Sequence, residues 1–258
     1  MEQELSAAAP SWQYSARPSH AGNRIQRVIG WATLIPFCGL LCFIIRFVAR
    51  YRIDRLPEIR RQYRELLRLH PDEPLVICAN HLTFIDSALI IWALGSNFWY
   101  ARNYRHFSWN LPAGDIFKKK FTFRLVAYLS KCIFIHRDGT KEHRDAVLEL
   151  CQDLLARGEV VTIFPEGKRS RSGRFEPEKL TYGVGKIISR MDRCNVLCVY
   201  LRAENQRTYA NYPKTGSRFH FEMKLISPSS RRGGREAYAE IVGQIGSTIR
   251  GMEDTYFA

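Results

Sequence analysis

No Cys-x2-Cys pair occurs in this chain, although it carries seven cysteines, an odd number. The absence excludes the commonest zinc ribbons and fingers. Cys38 and Cys42 sit in an apolar run and the other five in or beside expected strands and helices. They read as reduced, buried thiols of a cytosol-facing domain. His106, His136, His143 and His220 lack metal-ligand spacing, so no metal is expected. No RNA-recognition signature is present, and nucleic acid is not expected as a partner. The Gly-x-Ser-x-Gly elbow of ordinary serine hydrolases is missing. Around Gly183-Val184-Gly185-Lys186 the first glycine of a phosphate loop would fall on Leu180, so that motif fails. There are no internal repeats. The start has no basic cluster followed at once by an apolar core, which speaks against a signal peptide.

What is abundant is positive charge. Lys and Arg number 39 against 25 Asp and Glu, a net charge of +14 with a pI near 9.7. Such a balance calls for an anionic partner: nucleic acid, anionic lipid, or an acidic protein or substrate. The 258 residues, 46% hydrophobic, suffice for one substantial domain plus an extension. Lys118, Lys119 and Lys120, with Arg124, Lys131 and interleaved aromatics such as Phe117, Phe121 and Phe123, suit a membrane interface or the docking of an acidic acyl carrier protein. A solvated helix face is the plain alternative.

Residues 1–26 begin rich in Ala, Ser and Pro without a period and are expected to form a disordered tail. Val28 to Ile45 is an uncharged apolar run, about 27 Å long as a helix and just enough to cross a hydrocarbon core. Residues 27–50 are therefore assigned as a membrane-anchoring helix, spanning or half-inserted, with a kink or re-entrant bend allowed by Pro36 and Gly39. Arginines crowd its far side, which places everything after residue 46 in the cytoplasm. Leu56–Leu69 reads as a basic amphipathic helix. Strands are then expected at Leu75–Cys78, Phe98–Arg102, Cys132–His136, Val160–Phe164, Val196–Leu201 and Ser217–Ile226, the last near a sheet edge. Helices are expected at Phe84–Leu94, 115–129, Glu142–Arg157, Lys179–Met191 and Arg235–Arg250. The fold class is α/β, a mixed sheet flanked by helices with an N-terminal membrane helix.

The stretch Val76-Ile77-Cys78-Ala79-Asn80-His81-Leu82-Thr83-Phe84-Ile85-Asp86 carries the chemistry. Histidine titrates nearest neutrality and is the natural acceptor for a hydroxyl proton. A carboxylate behind it orients the ring and stabilises the imidazolium. Five positions do not share one helical face, so His81 belongs in a turn and Asp86 in the first turn of the following helix. Farther on, the apolar strand Val160–Phe164 runs into Pro165-Glu166-Gly167-Lys168-Arg169-Ser170. Asn-His-x4-Asp followed by Phe-Pro-Glu-Gly-x-Arg-Ser resembles the glycerolipid acyltransferases, in particular the 1-acyl-glycerol-3-phosphate (lysophosphatidic acid) acyltransferase family, over roughly Leu75 to Leu201.

The resemblance implies that residues 51–258 form the acyltransferase domain, with His81 as base and Asp86 as its partner. It implies acceptor binding by Arg137, Glu166, Gly167 and Arg169. It also implies a membrane-bound enzyme with no cofactor, which moves a fatty acyl group from acyl-CoA or acyl-ACP to the hydroxyl of a lysophospholipid. Three positions depart from the pattern. His136 stands where the family usually has Asp before Arg137, Lys168 replaces Thr, and Tyr200 replaces a strand-ending Pro. These departures keep a phosphate-free lysolipid, such as a lyso-amino-acid lipid, open as the acceptor. An inactive membrane-surface scaffold and a thioester hydrolase are the remaining rivals.

Overall fold

The computed structural model of the chain describes residues 20–113, 121–136 and 139–258. Its centre is a six-stranded mixed sheet in the order β1-β6-β5-β2-β4-β3. The strands are β1 (Arg52–Ile53), β2 (Leu75–Ala79), β3 (Trp109–Asn110), β4 (Val161–Ile163), β5 (Asn195–Ala203) and β6 (Arg218–Ile226). β2 is parallel to both β4 and β5, and β5 pairs antiparallel with β6. β2 and β5 are buried along their whole length. That is why β2 and the Val196–Leu201 stretch of β5 read as unbroken apolar runs rather than alternating ones.

Alternate residues of these strands feed two separate cores. Val76, Cys78, Val196, Cys198 and Tyr200 face a layer built from α7 (Lys141–Ala156), α8 (Gly183–Ile188) and α9 (Gly234–Phe257). Ile77, Ala79, Leu197, Val199 and Leu201 face α3 (Leu56–Leu69) and α4 (Asp86–Leu94) on the other side. The helix expected at Glu142–Arg157 forms within one residue of its bounds. Thr140 caps it by accepting the His143 N–H at 3.2 Å.

Several expectations need correction. Phe98–Arg102 is helical, as α5 (Asn97–Arg102), not a strand. Ser96 caps it, and Trp99 and Tyr100 pack against the N-terminal helices instead of joining the sheet. Its aromatic run has high β-propensity, and tertiary packing overrides it. Cys132–His136 makes only single bridges, Asn110 with Cys132 and Ala113 with Ile135. The helix expected at Lys179–Met191 is a 3-10 turn at Pro177–Lys179 followed by the short α8. The described part of the helix expected at 115–129 is α6 (Phe121–Leu129). β6 lies one strand in from the edge, beside the two-residue β1.

Of the expected tail, residues 1–19 lie outside the described residues, and the remainder is helical. The apolar run forms two helices, α1 (His20–Ala32) and α2 (Leu34–Phe43), continued by a π-turn at Ile44–Val48. They are bent by 65° at Thr33. Pro36 explains the place: it has no N–H for the Ala32 carbonyl and its ring crowds that group. Among the described residues no single helix is long and apolar enough to cross a membrane, although the bent pair together has the length and composition.

The pair is fixed to the domain. Gln26 donates to the Tyr128 and Cys132 carbonyls at 2.9 and 3.2 Å, and Leu34 and Cys38 pack on Tyr100, Tyr104 and Phe107. Arg27 meets Glu159 at 2.5 Å, and the other Glu159 oxygen accepts from Lys131 at 2.6 Å and from the Trp109 indole at 3.0 Å. Lys131 is wholly buried, and burial pulls its pKa down to about 8 against the pull of Glu159. Glu159→Ala would leave this ammonium inside without its counter-charge. We expect a loss of about 3–5 kcal/mol in urea unfolding, the scale for breaking a buried pair. A loss under about 1 kcal/mol would mean that the backbone carbonyls alone suffice.

Candidate active site

β2 and β4 lie side by side and parallel, with Val76 opposite Val161 and Cys78 opposite Ile163. Their carboxyl ends therefore open on one edge of the sheet, where open α/β sheets hold their ligands. Asn80-His81 leaves β2 at that edge, and Phe164-Pro165-Glu166-Gly167 leaves β4 there. The two motifs meet directly: the His81 N–H donates to Glu166 Oε1 at 3.0 Å, and the Ser170 N–H to the His81 carbonyl at 2.9 Å. Phe164 stacks on the His81 ring with centroids 4.2 Å apart. Asn80 ties the turn to β5 through both its amide atoms, which bond the Leu201 carbonyl and N–H at 2.9 and 2.8 Å.

Asp86 heads α4 and is 2% exposed. Its Oδ2 lies 3.0 Å from His81 Nδ1 and accepts the N–H groups of Leu82 and Thr83 at 2.7 and 2.8 Å. The Thr83 hydroxyl donates to Oδ1. A carboxylate held this way only accepts, so His81 Nδ1 carries the proton and Nε2 keeps its lone pair. Thr83 was not singled out from sequence. Its signal is there, since Thr-x-x-Asp at a helix start is a familiar capping pattern.

Glu166 is 5% exposed, and burial pushes its pKa up from 4.5 to about 8. The His81 N–H opposes the shift, while Glu176, Glu253 and Asp86 add to it. Burial thus favours the protonated, uncharged form of Glu166. Gly167 has φ +66°, a conformation that disfavours any other residue, and a Cβ there would press on Thr181. Arg169 donates Nη1 to the Ala210 carbonyl at 3.1 Å and to Asn211 Oδ1 at 2.7 Å, and its guanidinium lies 5.5 Å from the Tyr209 ring centre. Glu166, Lys168, Arg169, Ser170, Arg171, Glu176 and Lys179 line an open pocket. Residues 204–212, which hold Arg169, carried no sequence signal.

Arg137 and Lys118–Lys120 lie outside the described residues. Its neighbour His136 directs its N–H to His143 Nε2 at 3.4 Å. Tyr200 does not line the pocket: it is fully buried and donates to Glu253 at 3.3 Å. Among the described residues no cluster of three His, Cys, Asp or Glu side chains could hold a metal.

The sequence model of one family, described as Acyltransferase, matches residues 57–202, more than half of the chain. Among curated proteins, a probable 1-acyl-sn-glycerol-3-phosphate acyltransferase of Mycoplasma genitalium is 25% identical over 169 residues. The match covers 63% of this chain and 60% of the relative.

The raised Glu166 pKa sets a pH test of stability. A raised carboxyl pKa contributes stability fully present below about 4.5 and lost as pH rises through about 8. Glu166→Gln mimics the protonated acid and keeps an acceptor for the His81 N–H. Its melting temperature should match the wild type near pH 5 and exceed it progressively towards pH 8 to 9. Parallel curves across that range would mean that Glu166 is ionised throughout.

Proposed function

The chain belongs to the Acyltransferase family, and from that premise we propose that it transfers a fatty acyl chain from a thioester donor to the hydroxyl of 1-acyl-glycerol-3-phosphate. The observation that carries the reading is the His81–Asp86 pair set beside a cationic pocket on the same sheet edge. The acceptor hydroxyl gives its proton to His81 Nε2 as its oxygen attacks the thioester carbonyl. The tetrahedral intermediate collapses, the C–S bond breaks, and the imidazolium returns the proton to the departing thiolate. Asp86 stabilises the imidazolium between these steps. A thiol leaves readily, so no second acid is needed. The donor is acyl-CoA or acyl-ACP.

The pocket supports an anionic head group. Lys168, Arg169, Arg171 and Lys179 line it with Glu166 and Glu176; Lys179 pairs with Glu176 at 2.8 Å, and burial shifts Glu166 towards its uncharged form. Arg137 is a second phosphate contact by family resemblance. With Tyr200 committed to the core, the departure at that position gives no support to a different head group.

We also propose that the bent helix pair seats the enzyme on the membrane, the domain lying on the cytoplasmic face. Val28, Trp31, Leu40, Phe43, Phe47 and Val48 are exposed on the pair, and so many large exposed apolar side chains suit contact with lipid. A 65° bend suits entry into one leaflet better than a straight crossing.

His81→Ala should lower turnover by about 10²-fold or more with the melting temperature retained, the scale of a general base. A folded variant with near wild-type turnover would remove His81 from the chemistry. Arg169→Ala should reduce kcat/KM on lysophosphatidic acid by roughly tenfold or more and spare a phosphate-free lysolipid. Equal rates on both lipids in the wild type, with no selective loss in the variant, would exclude a phosphate clamp. Leu40→Glu with Phe47→Glu should sharply reduce flotation with anionic vesicles without lowering the melting temperature. Undiminished flotation would place the membrane contact elsewhere.

A further inference from the structure

The loop that follows the Pro-Glu-Gly turn is held from behind by residues at and beyond the end of the family match. Glu253 of α9 is fully buried, and its two oxygens accept the Phe175 N–H at 3.1 and 3.2 Å. Arg250 bonds Glu253 at 2.8 Å and the Phe175 carbonyl at 3.0 Å. Arg202 stands at the other side of this joint, 4% exposed near the end of β5. One arm of its guanidinium donates to the Gly173 carbonyl and the other to the Gln206 carbonyl. Burying a guanidinium is costly unless its donors are used, and here they are spent on two different loops.

Those loops are the ones that shape the pocket. Residues 170–175 continue the segment that supplies Arg169, Ser170 and Arg171 to its wall. Residues 204–212 supply the Ala210 carbonyl and the Asn211 side chain that hold Arg169, and the Ala210 N–H bonds the Leu82 carbonyl beside His81 at 3.0 Å. Between the loops Gly173, at φ +71°, touches the backbone of Arg207 and Thr208 so closely that a Cβ would collide with the Arg207 carbonyl. Glycine permits the approach and Arg202 holds it.

We propose that Arg202 is a positioning residue for the acceptor pocket, clamping residues 170–175 against 204–212 so that Arg169 stays in place for the substrate. The proposal rests on the acceptor reading given above. The planar fork matters as much as the charge, because an ammonium cannot reach both carbonyls in the same way.

Two variants of the full-length protein test it, with Arg169→Ala in parallel. Arg202→Lys keeps the charge but loses the fork. Gly173→Ala keeps every polar side chain and forces the loops apart. Initial rates are measured against lysophosphatidic acid concentration, and amide hydrogen exchange is followed over 170–175 and 204–212. Both variants should raise the acceptor KM roughly tenfold, the scale of one lost charge-assisted hydrogen bond. We expect kcat to change less than about threefold, and exchange to quicken in both loops. Unchanged KM in both variants, with KM raised in Arg169→Ala, overturns the positioning role and leaves the acceptor reading standing. Faster exchange with unchanged KM marks a merely structural brace and overturns it as well. If Arg169→Ala also leaves KM unchanged, the acceptor reading fails and the positioning role falls with it.

Discussion

The site depends on one buried carboxylate being fully satisfied. Asp86 is removed from water, where an unpaired charge would be prohibitively costly. The turn before α4 is shaped to prevent that: two backbone N–H groups, the Thr83 hydroxyl and the His81 ring all converge on it. The same bonds start the helix, fix the His81 tautomer and leave Nε2 as the basic atom. Local folding and the proposed chemistry are thus one interaction. Glu166, on the other side of His81's backbone, shows the opposite treatment. It is buried too, but its leading influence is desolvation rather than hydrogen bonding, so it tends to keep its proton. A carboxyl pushed towards its neutral form beside His81 opposes Asp86 less than a second full carboxylate would.

Much of this could be read from the residues. The mostly apolar runs at 75–78 and 160–164 lie inside the sheet because strands buried on both faces favour apolar side chains, Thr162 being buried only with its hydroxyl bonded to Ser108. Asn80 to Asp86 required a strand-to-helix turn, and the structure has one. That two loops distant in sequence would touch followed only from the family resemblance, since spacing alone does not set strand order. What stayed hidden was non-local. Phe98–Arg102 has strand-like composition but is helical because Trp99 and Tyr100 find partners in the N-terminal helices. The two-residue strands β1 and β3 are too short to leave a period. Asn211, which holds Arg169, sits in a loop of ordinary composition.

The bend in the N-terminal arm was half legible. Pro36 announces a disturbance, but its physical effect falls on the carbonyl of Ala32, four residues earlier, so the break appears at Thr33. Gly39, which looked equally suspect, lies inside a continuous helix because a glycine weakens a helix without removing a bond. Hydropathy reports how apolar the run is and cannot report whether it is straight.

Net charge proves to be a coarse guide to where positive potential is available. The sum of +14 treats every cation alike. Lys131 is fully buried against Glu159 and two carbonyls, and Arg202 against the backbone of two loops. These groups are structural, and a lipid head group does not meet them. Arg27 is half taken up in the same Glu159 cluster and serves to fix the apolar arm to the domain. The charge that an anionic acceptor would meet is concentrated at Lys168, Arg169 and Arg171. Lys179 is paired with Glu176 at 2.8 Å, while burial shifts the other lining carboxyl, Glu166, towards its uncharged form. A basic composition becomes specific recognition only where the fold removes the opposing charge.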